Sequence, residues 1–80
     1  MPTIARWRGH RFYFYSHEPH EPPHVHVDSG DRTAKFWLKP VGLARNVGFR
    51  ASELNTPTLY IRRHAVDFME ARHGHFGGGS

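Results

Sequence analysis

Apolar and polar residues alternate along three stretches of the chain and then settle into a longer period. Arg11-Phe12-Tyr13-Phe14-Tyr15, His24-Val25-His26-Val27-Asp28 and Arg32-Thr33-Ala34-Lys35-Phe36-Trp37-Leu38 each set every second residue on one side. That is the pattern of strands with one buried face. Gly9-His10 can turn the chain out of a first strand around Thr3–Trp7, and Ser29-Gly30-Asp31 makes a hairpin of the third and fourth strands. In the first strand Ile4 and the pair Ala5/Trp7 point to opposite sides. Residues 17–23 contain Pro19, Pro22 and Pro23 and read as a loop. Lys39-Pro40 closes the fourth strand. Val41–Phe49, with Gly42 and Gly48, reads only as a connection.

Further on, Leu54, Ile61, Ala65, Phe68 and Phe76 recur at helical spacing, and Met69 widens the stripe. Two helix starts compete. With Ser52 as N-cap, Pro57 would fall at the fifth helical position and cost about 3 kcal/mol. With Thr56 as N-cap, Pro57 becomes the first helical residue at no cost. The expectation is therefore a helix from Pro57 to about His75, after a separate turn around Ser52–Leu54. Residues 1–76 read as a single domain, and residues 77–80, Gly-Gly-Gly-Ser, as a flexible tail.

These elements predict a small α+β domain, an antiparallel sheet of about four strands with one C-terminal helix packed on one face. Phe12, Phe14, Val25, Val27, Ala34, Phe36 and Leu38 form the inner side. Arg11, Tyr13, Tyr15, His24, His26, Asp28, Thr33, Lys35 and Trp37 form the outer side. A sheet face so rich in rings and bases is expected to bind something or to be covered by a second chain. Its imidazoles, if they face outward, are expected to be dispensable for folding.

Composition narrows the partners. Eighty residues support one small core, so a partner or self-association is expected to help. The absence of cysteine excludes disulfides and thiolate metal sites. No apolar run approaches the roughly 20 residues that cross a bilayer. Met1–Arg6 lacks the apolar core of a signal peptide, so a cytoplasmic protein with no membrane association is expected. A net charge of +4 with neutral histidines favours acidic or polyanionic partners. There is no Gly-rich phosphate loop, and no serine or cysteine is set up as a nucleophile.

The chemistry concentrates in His20-Glu21-Pro22-Pro23-His24-Val25-His26, with His17 just ahead. Histidine exchanges protons near neutral pH and is the commonest nitrogen ligand of metals. His64, His73 and His75 lie on the helix or at its end, where the last two most simply complement its dipole. Arg62-Arg63 reads as a solvated helix face.

With Met1-Pro2-Thr3-Ile4, Phe12-Tyr13-Phe14-Tyr15, Ala34-Lys35-Phe36-Trp37-Leu38-Lys39-Pro40-Val41 and Asn46-Val47-Gly48-Phe49, this H-x-P-P-H-x-H core resembles the bacterial family called domain of unknown function 4160. The likeness runs to Phe76. It implies a small cytoplasmic protein, often encoded beside a second small protein and suggested to belong to toxin–antitoxin-like pairs. His20, Pro22, Pro23, His24 and His26 are the positions that carry over. The family usually has tryptophan where this chain has Arg72, and no proline at the level of Pro57.

Three functions fit the histidines. In the first, the chain is one component of a two-protein module, and the His-rich surface binds a small protein encoded nearby or a second copy. The second is metal-independent RNA cleavage or RNA binding. There His24 and His26 act as the acid–base pair, His20, Arg11 and Lys35 meet phosphate, and Tyr13, Tyr15 and Trp37 stack on bases. The third is a zinc, nickel or manganese site built from His20, His24 and His26, with His17 or Asp28 as a further ligand. The sequence leaves all three open, and with them whether the protein is an enzyme.

Overall fold

The computed structural model describes residues 3–14 and 21–72. Five strands follow one another as a meander: β1 (Thr3–Trp7), β2 (His10–Tyr13), β3 (His24–Ser29), β4 (Arg32–Leu38) and β5 (Val41–Val47). They form one sheet in chain order, and each neighbouring pair is antiparallel. A 3₁₀ turn (Ala51–Leu54) leads into the helix α1 (Asn55–Arg72). The architecture is α+β, with five strands where the alternation predicts about four.

The additional strand is β5, in the stretch that reads as a connection. Its pairing with β4 slips between Lys35 and Phe36: Lys35 faces Arg45, Phe36 faces Leu43, and Ala44 is left as the inserted residue. Such a bulge breaks the alternation by which a strand is recognised. β5 also lies at the edge of the sheet, with Leu43 and Val47 nearly half exposed, so little apolar patterning is demanded of it.

The two faces separate as the alternation predicts. Phe12, Phe14, Val25, Val27, Ala34, Phe36 and Leu38 are buried together with Phe49 and with Ile61 and Phe68 of α1. Burying each large apolar side chain is worth about 1.5–3 kcal/mol. A second register shift, between Thr3 and Ala5, settles the ambiguity of β1. Trp7 then stacks on Tyr60 of α1 at 4.7 Å, and Tyr60 lies 4.9 Å from Phe12.

α1 starts at Asn55, two residues earlier than the expected Pro57. Pro57 is still tolerated because the first turn of a helix has backbone N–H groups with no partner inside it. His64 departs from helical geometry at φ −116°, ψ 15°, so α1 bends there and is not one straight rod. The predicted end near His75 lies outside the described residues.

Asn46-Val47-Gly48-Phe49 joins sheet to helix. The Asn46 side chain accepts from the Phe49 N–H at 3.1 Å and donates to the Phe49 carbonyl at 2.8 Å. Gly48 has φ +96°, and a Cβ there would sit 3.1 Å from Cγ of Arg32. The Arg32 guanidinium donates to the Ser29 carbonyl and to the Glu53 carboxylate, and it lies over the Phe49 ring at 5.4 Å. Glu53 Oε1 also accepts from the Arg50 N–H at 2.8 Å. That backbone hydrogen bond, helped by the Arg32 guanidinium, holds the Glu53 pKa below its usual value against a smaller opposing effect of burial.

Candidate functional site

Strand register arranges the outer face in three cross-strand rows. Arg6, Arg11, Asp28, Thr33 and Val47 form one, and Tyr13, His26, Lys35 and Arg45 form the next. His24, Trp37 and Gly42 form the third. Seven of the predicted site residues, Arg11, Tyr13, His24, His26, Asp28, Lys35 and Trp37, therefore share one surface, as the alternation requires. Tyr15, His17 and His20 lie outside the described residues.

Their rings make a continuous belt. Arg11 lies 4.6 Å over the Tyr13 ring, which stacks on His26 at 5.5 Å. His26 meets His24 edge to face at 5.2 Å, and His24 meets Trp37 in the same way at 6.0 Å. The Lys35 ammonium lies 4.9 Å over Trp37. Contacts of cations and rings with aromatic faces are each worth about 0.5–1.5 kcal/mol.

The belt is not the solvated surface that alternation suggests. Tyr13 and His24 are each 2% exposed and His26 is 7% exposed. Period-2 patterning fixes the side of the sheet a residue takes, not what lies over it. The two imidazoles share the outer side of the sheet but are buried, so the condition on which they are expected to be dispensable for folding is not met.

The two prolines have a specific part in this. His24 Nδ1 lies 2.8 Å from the Pro22 carbonyl and donates to it, so in the neutral ring Nε2 carries the lone pair. The Pro23 carbonyl accepts from the Leu38 N–H at 3.0 Å, extending the pairing of β3 with β4 by one step. Proline offers a carbonyl but no N–H, and only carbonyls are used here.

Charges are paired unevenly. Tyr13 donates to Asp28 at 2.8 Å, and Arg11 approaches the same carboxylate at 3.9 Å. Asp28 is thereby held between the phenol and the guanidinium. Glu21, in the loop before β3, forms an ion pair with Lys35, and its carbonyl accepts from Arg72 of α1 at 3.0 Å. Beside Lys35 and Arg45 an open hollow of about 440 Å³ is lined by His26, Thr33, Trp37, Ala44 and Val47 among others. Among the described residues no three His, Asp or Glu side chains converge as a metal shell requires. Of the predicted ligands, His24 and His26 are in direct ring contact.

Residues 9–72, which include β2 to β5 and all of α1, match the family described as a domain of unknown function, DUF4160. The chain belongs to the DUF4160 family. No curated protein and no solved structure matches it. In this DUF4160 chain, no helix of the described residues is long and apolar enough to cross a membrane.

Sequence reasoning missed Arg45, Ala44 and Val47, which border the hollow from β5. The lysine-paired role of Glu21 was also missed. The apolar residues Val41, Leu43 and Val47, between Pro40 and Gly48, were the available signal for a further strand.

Proposed function

We propose that this DUF4160 protein is one component of a two-protein module and acts by binding a small partner protein on the outer face of its sheet. One observation carries the reading. α1 packs on one face, and on the other, where Tyr13, His24 and His26 are buried, the edge strand leaves Val47 46% exposed beside a hollow bordered by Lys35 and Arg45. Among the described residues no helix or strand forms a second layer there. A face of this kind supports recognition of a protein.

Burial of the histidines favours this reading over RNA cleavage. An acid–base pair must come within hydrogen-bond reach of the ribose and phosphate oxygens. His24 and His26 instead pack on each other, on Tyr13 and on Trp37. They frame the binding face.

Co-expression with the small protein encoded beside it tests the proposal. The two should elute together from a sizing column as a stable complex. Arg45→Glu should separate them, and Arg62→Glu, the same charge change on α1, should not. Separate elution of the unmodified pair, with degradation of added RNA by this protein alone, would favour the nuclease reading instead.

A further inference from the structure

We propose that the free edge of β5 takes an extended acidic segment of a partner protein as a sixth strand, with the segment's carboxylates over Lys35 and Arg45. This rests on the partner-binding reading and specifies where the partner docks and its chemistry.

Backbone geometry comes first. β5 is seven residues long, and among the described residues no strand pairs with its far side. Such an edge is a template for another strand unless charges or prolines blunt it. Val41-Gly42-Leu43-Ala44-Arg45-Asn46-Val47 holds one charge and no proline. Leu43 and Val47 leave apolar surface on the edge itself. In strand addition, main-chain hydrogen bonds supply affinity while pockets for alternate side chains supply selectivity. The hollow beside β5 is such a pocket, with Trp37 and Ala44 in its lining.

Charge then selects the segment. Lys35 and Arg45 stand directly opposite each other on β4 and β5. Like charges in that position are destabilising. Glu21 relieves Lys35 from within the chain. Among the described residues no carboxylate pairs with Arg45. An acidic side chain from outside would relieve the repulsion, and the chain's net charge of +4 steers such a segment toward it. The combination of open backbone edge and half-exposed aliphatic residues fits a polypeptide; a phosphate backbone would use the cations alone.

The test uses this protein alone, labelled for NMR, and a blocked peptide of alternating valine and glutamate long enough to span β5. Saturable shifts should centre on the amides of residues 41–47. Arg45→Glu should weaken binding about tenfold or more. N-methylation of every peptide amide should abolish it, because the peptide can then donate no hydrogen bond to the edge. The proposal is overturned if shifts fall on α1 or do not appear, or if a lysine-for-glutamate peptide binds equally well. Preferential binding of oligouridylate at the same residues also overturns it. Because the encoded neighbour is not used, failure here is distinct from failure of the two proteins to co-elute.

Discussion

Tyr13 donates a hydrogen bond to Asp28 at 2.8 Å across the β2–β3 pair, so a phenol on the outer face of the sheet behaves as a core residue. Its ring is 2% exposed and lies against His26. Tyr13→Phe keeps the ring and should cost about 1 kcal/mol, whereas Tyr13→Ala also removes the packing and should cost about 3–5 kcal/mol. Urea denaturation of the two variants checks the order. Equal, near-zero losses would mean that the belt does not support the fold.

His24 is held by the Pro22 carbonyl and by two ring contacts. His24→Ala should destabilise the domain by about 2–3 kcal/mol. His24→Asn can still donate a side-chain N–H from near the Nδ1 position and should lose less, while His24→Gln, whose amide mimics Nε2, should resemble alanine. Melting temperatures of the three variants at one pH decide this. Wild-type stability in all three would place the imidazole in solvent.

Gly48 and Gly30 both have positive φ, +96° and +63°, but only Gly48 has a neighbour within 4 Å of an added Cβ. A left-handed backbone costs an L-residue about 1–2 kcal/mol. Gly30→Ala should show that cost alone. Gly48→Ala should exceed it, because Arg32 must also move, and with it the contacts to Glu53 and Phe49. Comparison of the two denaturation midpoints tests the difference.

Glu53 makes one contribution to the pH dependence of stability. Its pKa is lowered in the folded protein, first by the Arg50 backbone N–H and then by Arg32. A carboxyl with a depressed folded pKa contributes stability that is fully present above its unfolded pKa and is lost as pH falls through the folded value. Glu53→Gln should therefore melt below the wild type at neutral pH, and the gap should narrow as pH falls below the ordinary carboxylate range and through the lowered folded value. A gap that persists unchanged into acid would assign the effect to shape instead of charge.

Much of this fold was legible because β3 and β4 alternate without interruption, which sorted His24, His26, Lys35 and Trp37 from Val25, Val27 and Phe36. The pattern failed where geometry interrupts it. Ala44 is inserted in β5, so the run containing Arg45 lost its period and one border of the hollow went unread. The irregularity between Thr3 and Ala5 obscured β1 for the same reason. The two histidines contact rings from β2 and β4, which pattern along one strand cannot report. The Arg72–Glu21 contact joins residues 51 apart and has no local signature. The helix start moved by two residues because a proline fits anywhere among the unpartnered donors of a first turn.

The most direct test of partner binding at this edge is amide hydrogen exchange on the protein, with and without the proposed partner protein. The account predicts slowed exchange across residues 41–47 on complex formation, with little change in residues 62–70 of α1. Protection confined to α1, or no change in β5 within a stable complex, would contradict it.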